Sequence, residues 1–307
     1  MPQTPPVFLV AAEQSGTAIL QPMLARHPEI AFAGNFEFLI DAISPDGRFM
    51  KRANFVKALE FDRAFKACRL SVPPQGNVPQ IANSFFDQLE AATPGTKVVG
   101  AILHRDFDRI LYLWPDARFI HLVRDGRDVA FATLPAGLAG TMWHAVRNWV
   151  EVEILWERMS HKLPVERQIS VKYEVLARDP EYELRRITDF LGLIYDPAML
   201  QGYDPRQAES AGKWRNGDPA DLSAAEHVAA RWLLQNGYFL SGTVRPPSII
   251  RRAALRIQHD MVVAKRQREL FGTRMWLKGV LTRRLGSKKA KNRLTRRQNE
   301  ILDRSRD

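Results

Sequence analysis

Cysteine and long apolar runs are the features that this chain most clearly lacks. Its 307 residues contain a single cysteine, Cys68, so no disulfide can form within the chain, and no cluster of Cys and His suggests zinc or another metal. No run of about 18 apolar residues occurs, so we predict no transmembrane helix. Residues 1–6 carry no basic group ahead of the short apolar run at 7–12, which argues against a signal peptide. We therefore expect a cytoplasmic protein that requires no metal.

The positive charge is concentrated in one part of the chain. The formal net charge is +11, yet residues 251–307 contain 18 Lys and Arg against 5 Asp and Glu, a net of +13, which leaves −2 for the other 250 residues. The two parts therefore need separate interpretations. We predict a folded body at residues 1–245 and a basic helical tail at residues 246–307, partly disordered.

Buried strands alternate with helices along the body. Continuous apolar runs predict strands at residues 7–12, 97–103, 118–123 and 168–173. Helical periodicity, caps and breakers predict helices at residues 17–26, 35–43, 50–70, 80–92, 106–114, 141–161, 180–191 and 222–236. This alternation is typical of an α/β three-layer sandwich, in which helices cover both faces of a mostly parallel sheet. Ligands of such sheets bind beyond the carboxyl ends of the strands.

Two segments have the pattern of a strand, a turn and a helix start. The first turn contains Ser15-Gly16-Thr17, and the second contains Arg124. Because such turns direct backbone N–H groups and the positive end of the helix dipole at one spot, we expect the pair to bind phosphate. Two alternatives stay open: the first turn could be an ordinary helix cap, and Arg124 could pair with a neighbouring Asp. Arg127 is expected to be a solvated helix residue. Because no Gly-Lys-Ser or Gly-Lys-Thr occurs, a triphosphatase P-loop is excluded.

Six short motifs occur in a fixed order along the body. They are Ser15-Gly16-Thr17, His27-Pro28 and the segments 119–129 (FIHLVRDGRDV), 171–176 (VKYEVL), 190–193 (FLGL) and 212–215 (GKWR). With these motifs the chain resembles the sulfotransferases that use 3′-phosphoadenosine-5′-phosphosulfate (PAPS), over about residues 6–240. The resemblance implies a P-loop NTPase-like fold. It also implies transfer of a sulfuryl group to a hydroxyl of a glycan, lipid or protein, leaving 3′-phosphoadenosine-5′-phosphate (PAP).

The resemblance assigns roles to individual residues. Those implied to contact the nucleotide are Ser15, Gly16, Thr17, Ala18, Arg124, Tyr173, Gly212, Lys213 and Arg215. The turn at 15–18 would hold the 5′-phosphosulfate, and Arg124 the 3′-phosphate. Tyr173 would lie beside the adenine and its phosphate, and the loop at 212–215 would close over the nucleotide. These residue types suit the roles, because glycine lets the backbone approach an anion and a guanidinium grips phosphate with a planar fork.

Several positions depart from the family pattern. Gln14 stands where the family has Lys or Arg, and losing a charged donor to the leaving oxygen costs about 3 kcal/mol of transition-state stabilisation. Asn35 stands at the usual acidic position, and Ala132 replaces a Ser that follows the phosphate-binding Arg. The general base is then Glu37 or His104, while Gln14 and the backbone N–H groups of the first turn would stabilise the leaving phosphate. The alternative is a catalytically degenerate protein that binds PAP or PAPS.

The basic tail carries a helical pattern of its own. Apolar residues recur at positions 250, 253, 254, 257, 261 and 264, with Arg and Lys around them. One interpretation is a solvated helix. The other is a basic amphipathic helix within residues 249–297 that docks on an anionic membrane or an acidic polymer, which would make the protein peripheral. Nucleic acid is not an expected partner, because Phe271 and Trp276 are the only aromatic residues of the tail.

Overall fold

The computed structural model describes residues 4–242 and 244–285, together with the single positions 294, 297, 298, 301 and 302; at 207–209 and 283–285 it describes the backbone alone. These residues form one sheet, whose strands are β1 (Val7–Val10), β2 (Ile30–Asn35), β3 (Val98–Leu103), β4 (Arg118–Val123) and β5 (Gln168–Lys172). The strand order is β2-β3-β1-β4-β5. Every neighbouring pair is parallel. Strand β1 lies between β3 and β4, so the turn that follows β1 lies at the carboxyl edge of the sheet, where the strand order reverses. Sheets of this kind bind ligands at that point.

The helices flank this sheet. In the described chain they are α1 (Thr17–Ala25), α2 (Glu37–Ile40), α3 (Arg52–Leu59), α4 (Arg63–Cys68), α5 (Val78–Ala92), α6 (Gly126–Thr133), α7 (Met142–Ser160), α8 (Tyr173–Arg178), α9 (Pro180–Leu191), α10 (Pro219–Gln235) and α11 (Ile249–Leu285). Caps set several of these bounds: the Asp218 carboxylate accepts from the Asp221 N–H at the start of α10, where Pro219 follows in the first turn.

Alternate residues of β1 enter two separate cores. Val7 and Leu9 pack in a cluster with side chains of α1, α8 and α9. Phe8 and Val10 pack in the other cluster, with side chains of α5, α7 and α10. Because successive side chains of a strand point to opposite faces of the sheet, both faces are covered. The predicted α/β three-layer sandwich with a parallel sheet is therefore confirmed.

Some predicted elements are wrong in kind or extent. The sequence interpretation has no strand at β2 and places a helix at 35–43, whereas the structure has β2 followed by the single turn of α2. The segment IAFAGN is short and rich in small residues, so its periodicity does not separate strand from helix. The predicted helix at 50–70 is two helices, since Asp62 caps the start of α4. The predicted helix at 106–114 is a 3₁₀ helix at Phe107–Tyr112.

The tail begins as the long helix α11, which has a kink at Gly272. Leu255 of α11 is buried against Trp143 of α7 and Ala224 of α10. A helical C-terminal extension is therefore present, while the division at residue 245 stays a prediction. The predicted disorder concerns residues that lie mostly outside the described part of the chain. Within that part, no helix is both long and apolar enough to cross a membrane.

Candidate active site

The first turn leaves a set of backbone donors unpaired. Gln14 and Gly16 both have left-handed backbone conformations, with φ values of 68° and 104°. Between the end of β1 and the first turn of α1, the N–H groups of Gly16, Thr17 and Ala18 find no acceptor within the described chain. They lie at the positive end of the α1 dipole and line a cleft. This is the geometry of an anion cradle, while the binding of phosphate there stays a prediction.

Gly16 is required by what lies behind it. A Cβ on Gly16 would stand 2.4 Å from Cδ2 of Tyr173. Tyr173, the first residue of α8, is 2% exposed. Its hydroxyl is hydrogen-bonded to Ser210 Oγ at 2.5 Å. The Tyr173 ring thus forms the wall against which the backbone of the first turn packs.

Arg124 follows β4 and reaches across to the first turn. Its Nη1 donates to the Gln14 carbonyl at 2.9 Å, and its Nη2 donates to the Ser210 carbonyl at 2.8 Å. The guanidinium lies 4.5 Å from the centroid of the Tyr173 ring. Arg124 is 7% exposed, and no carboxylate among the described residues lies within 4.0 Å of it. A buried cation without a carboxylate partner is costly unless an anion compensates it.

Glu37 and His104 come together as one hydrogen-bonded pair. Glu37 Oε1 accepts from His104 Nδ1 at 2.8 Å and from the His104 backbone N–H at 3.0 Å. On the other side of the ring, His104 Nε2 lies 3.3 Å from Thr17 Oγ1. His104 lines the cleft, and Glu37 lies behind it. Burial raises the pKa of the Glu37 carboxyl, but the hydrogen bond and charge of His104 outweigh it and hold that pKa below its ordinary value.

The cleft collects most of the predicted site residues. It has a volume of about 570 Å³. Its lining residues are Glu13, Gln14, Gly16, Thr17, Ala18, Ile19, Gln21, Asn35, Ile102, His104, Arg124, Tyr173 and Ser210. Ser15 lies beneath the turn and is 1% exposed. Among the described residues no group of three or more His, Cys, Asp or Glu side chains is arranged to hold a metal ion.

The loop with Gly212, Lys213 and Arg215 lies next to the cleft and does not line it. The carboxylate of Asp128 accepts from the backbone N–H groups of Gly212 at 2.6 Å and of Trp214 at 2.9 Å. The loop is therefore fixed just beyond Ser210, which does border the cleft. Contact between this loop and a nucleotide stays a prediction. Sequence reasoning missed Ser210, because nothing in its local sequence marks it.

The expectation that Arg127 is solvated is wrong. Its side chain is 3% exposed and donates to both oxygens of Asp125, at 2.9 Å and 2.7 Å. It also pairs with Glu226 of α10 at 2.6 Å and lies over the Trp214 ring. Arg127 thus holds α6, α10 and the 212–215 loop together. Because Asp125 is engaged by Arg127, it is not the partner of Arg124.

Two of the departures from the family pattern face the cleft. Gln14 and Asn35 are exposed and line it. Thr133, next to Ala132, donates its hydroxyl to the Ala130 carbonyl at 2.7 Å, which satisfies that donor within α6. Of the residues that the structure describes, Arg124 and His104 are the basic side chains of the lining, and no lysine contributes to it.

The fold and the cleft together define a P-loop-like α/β protein with an anion cradle and a carboxylate–histidine pair at its edge. A model of the sulfotransferase family matches residues 5–197, well over half of the chain, and the chain belongs to that family. The family and the fold predicted from the sequence are thereby confirmed.

The matches to curated relatives cover only part of the length of those proteins. The chain is 22% identical over 212 residues to protein-tyrosine sulfotransferase of Drosophila melanogaster, covering 64% of this chain and 40% of that protein. It is 25% identical over 194 residues to heparan sulfate glucosamine 3-O-sulfotransferase 3A1 of Mus musculus, covering 62% and 46%. The chain thus spans less than half the length of these curated relatives. The sulfotransferase domain from the curacin biosynthetic pathway shares the fold, with a TM-score of 0.57, 18% identity, and 77% of this chain and 99% of that chain covered.

Proposed function

We propose that the cleft binds PAPS and that the protein transfers its sulfuryl group to a hydroxyl of a glycan, lipid or protein acceptor, leaving PAP. The observation that carries this proposal is the position of His104, whose Nε2 lies 3.3 Å from Thr17 Oγ1. A proton acceptor thereby stands beside the anion cradle. Transfer to a hydroxyl needs these two features side by side, because the acceptor oxygen must lose its proton where it meets the sulfur.

Buried donors without a partner support the binding of a nucleotide that carries phosphates at its 3′ and 5′ positions. Ser15 Oγ and Arg124 Nε are buried and have no hydrogen-bond partner in the described chain. The N–H groups of residues 16–18 and the Ser15 hydroxyl would hold the 5′-phosphosulfate. Arg124 would hold the 3′-phosphate with the N–H groups that its two carbonyl contacts leave over, and Tyr173 would lie against the adenine. The 212–215 loop, with Gly212, Lys213 and Arg215, would complete the nucleotide site from the neighbouring side.

His104 is the proton acceptor in this proposal, and Glu37 is a positioning residue. The Glu37 carboxylate accepts the Nδ1 hydrogen, which leaves the lone pair of Nε2 directed toward the cleft. PAPS supplies the sulfuryl group. As the acceptor oxygen bonds to sulfur, its proton passes to Nε2 and the bond from sulfur to the bridging phosphate oxygen breaks. Gln14 and the N–H groups of the first turn take the charge that develops on the leaving phosphate.

Transfer of labelled sulfuryl groups from PAPS to a tyrosine peptide, a heparan-type glycan and a simple phenol tests this function. We expect His104→Ala to slow transfer about a thousandfold, because the general base is lost. We expect Glu37→Gln to slow it about tenfold, because the His104 ring loses the carboxylate that orients it. PAP affinity should stay unchanged in both. His161→Ala, an exposed histidine at the end of α7, is the matched control. Wild-type rates in His104→Ala would exclude the proposed base.

A second function, a PAP-binding protein without turnover, is favoured by one observation. Among the described residues no lysine lines the cleft, and Gln14 lines it at the position where the family pattern has Lys or Arg. The variant Gln14→Lys separates the two functions. A large gain in transfer would indicate an enzyme weakened at this position. PAP binding with no transfer by the wild type or by Gln14→Lys would instead support the binding protein.

A further inference from the structure

One face of α11 is fixed to the body. Leu255 is fully buried beneath it, and the ring of His259 stacks on His144 of α7 with 4.1 Å between ring centroids. The backbone N–H of Gly140 donates to His259 Nδ1 at 3.3 Å. A Cβ on Gly140 would stand 2.7 Å from the His259 Cα, so the helix backbone lies directly against this loop. The orientation of α11 is therefore set over its first turns.

The opposite face of the same turns is apolar and exposed. Ile250, Ile257 and Met261 are 83%, 59% and 60% exposed. At about 3.6 residues per turn these three side chains fall on one side of the helix, opposite Leu255 and His259. Large apolar side chains in a row on a surface mark an interaction site more often than single ones do. We call these three residues the outer stripe.

Positive charge predominates around the outer stripe. Residues 249–285 contain ten Lys and Arg against two Asp and Glu, a net of +8. Lys265 and Arg268 lie on the same side as the outer stripe, and Arg256 lies on its flank beside Asp260. The three cations are exposed, and none has a carboxylate within 4.0 Å among the described residues. The charge is therefore available to a partner.

We propose that this face of α11 binds the surface of an anionic lipid bilayer, with the outer stripe inserted among the lipids and Arg256, Lys265 and Arg268 at the headgroups. Apolar residues in a row with flanking cations match the boundary between headgroups and acyl chains. A nucleic acid would satisfy the cations but would leave the outer stripe in water. Because the inner face of α11 stays on α7, the bilayer would lie against the outside of the body. This inference is independent of the sulfotransferase reaction.

Co-sedimentation of the full chain with vesicles tests the proposal. The vesicles are phosphatidylcholine alone or phosphatidylcholine with about 30 mol % phosphatidylserine. We expect the wild type to bind the anionic vesicles. The double variant Ile257→Asp/Met261→Asp should bind about a hundredfold more weakly, because each substitution removes an apolar side chain that would insert among the lipids and adds a charge that the anionic lipids repel.

The matched control is Ile194→Asp/Leu234→Asp. It makes the same chemical change at two exposed apolar residues outside α11, which are 89% and 53% exposed. It should bind vesicles like the wild type. Thermal unfolding checks that both variants fold. If Ile257→Asp/Met261→Asp does not fold, Ile257→Ser/Met261→Ser replaces it. Equal binding by the outer-stripe variant and the wild type, or binding of the wild type to a short RNA duplex but not to vesicles, would overturn the proposal.

Discussion

The cleft and the tail helix both present positive charge, and they hold it in opposite ways. In the cleft one guanidinium, that of Arg124, is buried and held by two backbone carbonyls and the ring of Tyr173. Along α11 the cations Arg256, Lys265 and Arg268 are exposed, and none of them has a carboxylate within 4.0 Å among the described residues. A fixed cation distinguishes ligands by geometry, whereas mobile surface cations respond to the sign and density of charge. One chain thus combines a buried cation of fixed geometry with a set of exposed cations.

The sharpest test of the cleft is the addition of one methyl group. Gly16 has a φ of 104°, and its Cβ would meet Tyr173 at 2.4 Å. We expect Gly16→Ala to displace the first turn, to weaken PAP binding about a hundredfold, and to lower the free energy of unfolding by about 1–3 kcal/mol. Calorimetric titration and thermal unfolding measure the two effects. Gly34→Ala is the control, since nothing lies within 4 Å of its added Cβ. Equal PAP affinity in both variants would contradict a rigid cradle.

Exchange of arginine for lysine compares the two regions directly. Arg124→Lys keeps the charge but loses the planar fork, so PAP should bind about tenfold more weakly. Arg256→Lys on α11 keeps the charge on an exposed side chain, so binding to anionic vesicles should not change. Titration of PAP into the first variant and vesicle sedimentation of the second give the two results. Wild-type behaviour of both variants would show that PAP binding in the cleft does not depend on the geometry of the Arg124 guanidinium.

The contact between the tail and the body should depend on pH. Burial lowers the pKa of His144 to about 4. The charges of His259, Arg147 and Arg256 also lower this pKa, whereas the charge of Asp260 raises it. Burial likewise lowers the pKa of His259, and the charge of Asp260 partly offsets that effect. Since both histidines bind protons more readily when exposed, the contact is fully stable above the ordinary pKa of 6.5 and weakens as the pH falls toward about 4.

Protection factors from hydrogen exchange over residues 255–266 measure this effect. We expect them to fall between about pH 7 and pH 5 in the wild type. His144→Phe keeps a stacked ring without a titrating group and should lose most of the pH dependence. His227→Gln, an exposed histidine of α10, should keep it. A pH-independent wild type would show that the histidine stack does not control the contact.

Local patterns explain what the sequence could predict. Fewer than fifteen consecutive residues mark each of two features, β1 with its turn and the strand that ends at Arg124. In both, an apolar run is followed by small or charged residues. Their meeting at one edge follows from the rule for parallel sheets. The sandwich and the family could therefore be predicted from the sequence alone, and so could the place at which the first turn and Arg124 meet.

Contacts between distant segments explain what the sequence could not predict. The sequence left Glu37 and His104 as alternatives for the general base, because it does not show the hydrogen bond between them. That bond joins Glu37 at the start of α2, which follows the unpredicted strand β2, to His104, which directly follows β3. Arg127 is buried by Glu226 of α10, which lies 99 residues away. Ser210 enters the cleft through hydrogen bonds with Arg124 and Tyr173. Propensity and periodicity carry no information on such pairs.

In the proposed function, Arg124 recognises the 3′-phosphate of the nucleotide. Calorimetric titration of PAP and of adenosine 5′-phosphate, which lacks that group, into the wild type and Arg124→Ala tests it most directly. We expect the wild type to bind PAP about a hundredfold more tightly than adenosine 5′-phosphate, and Arg124→Ala to bind the two about equally. A wild type without preference for PAP, or an Arg124→Ala variant that keeps the preference, would contradict this role of Arg124.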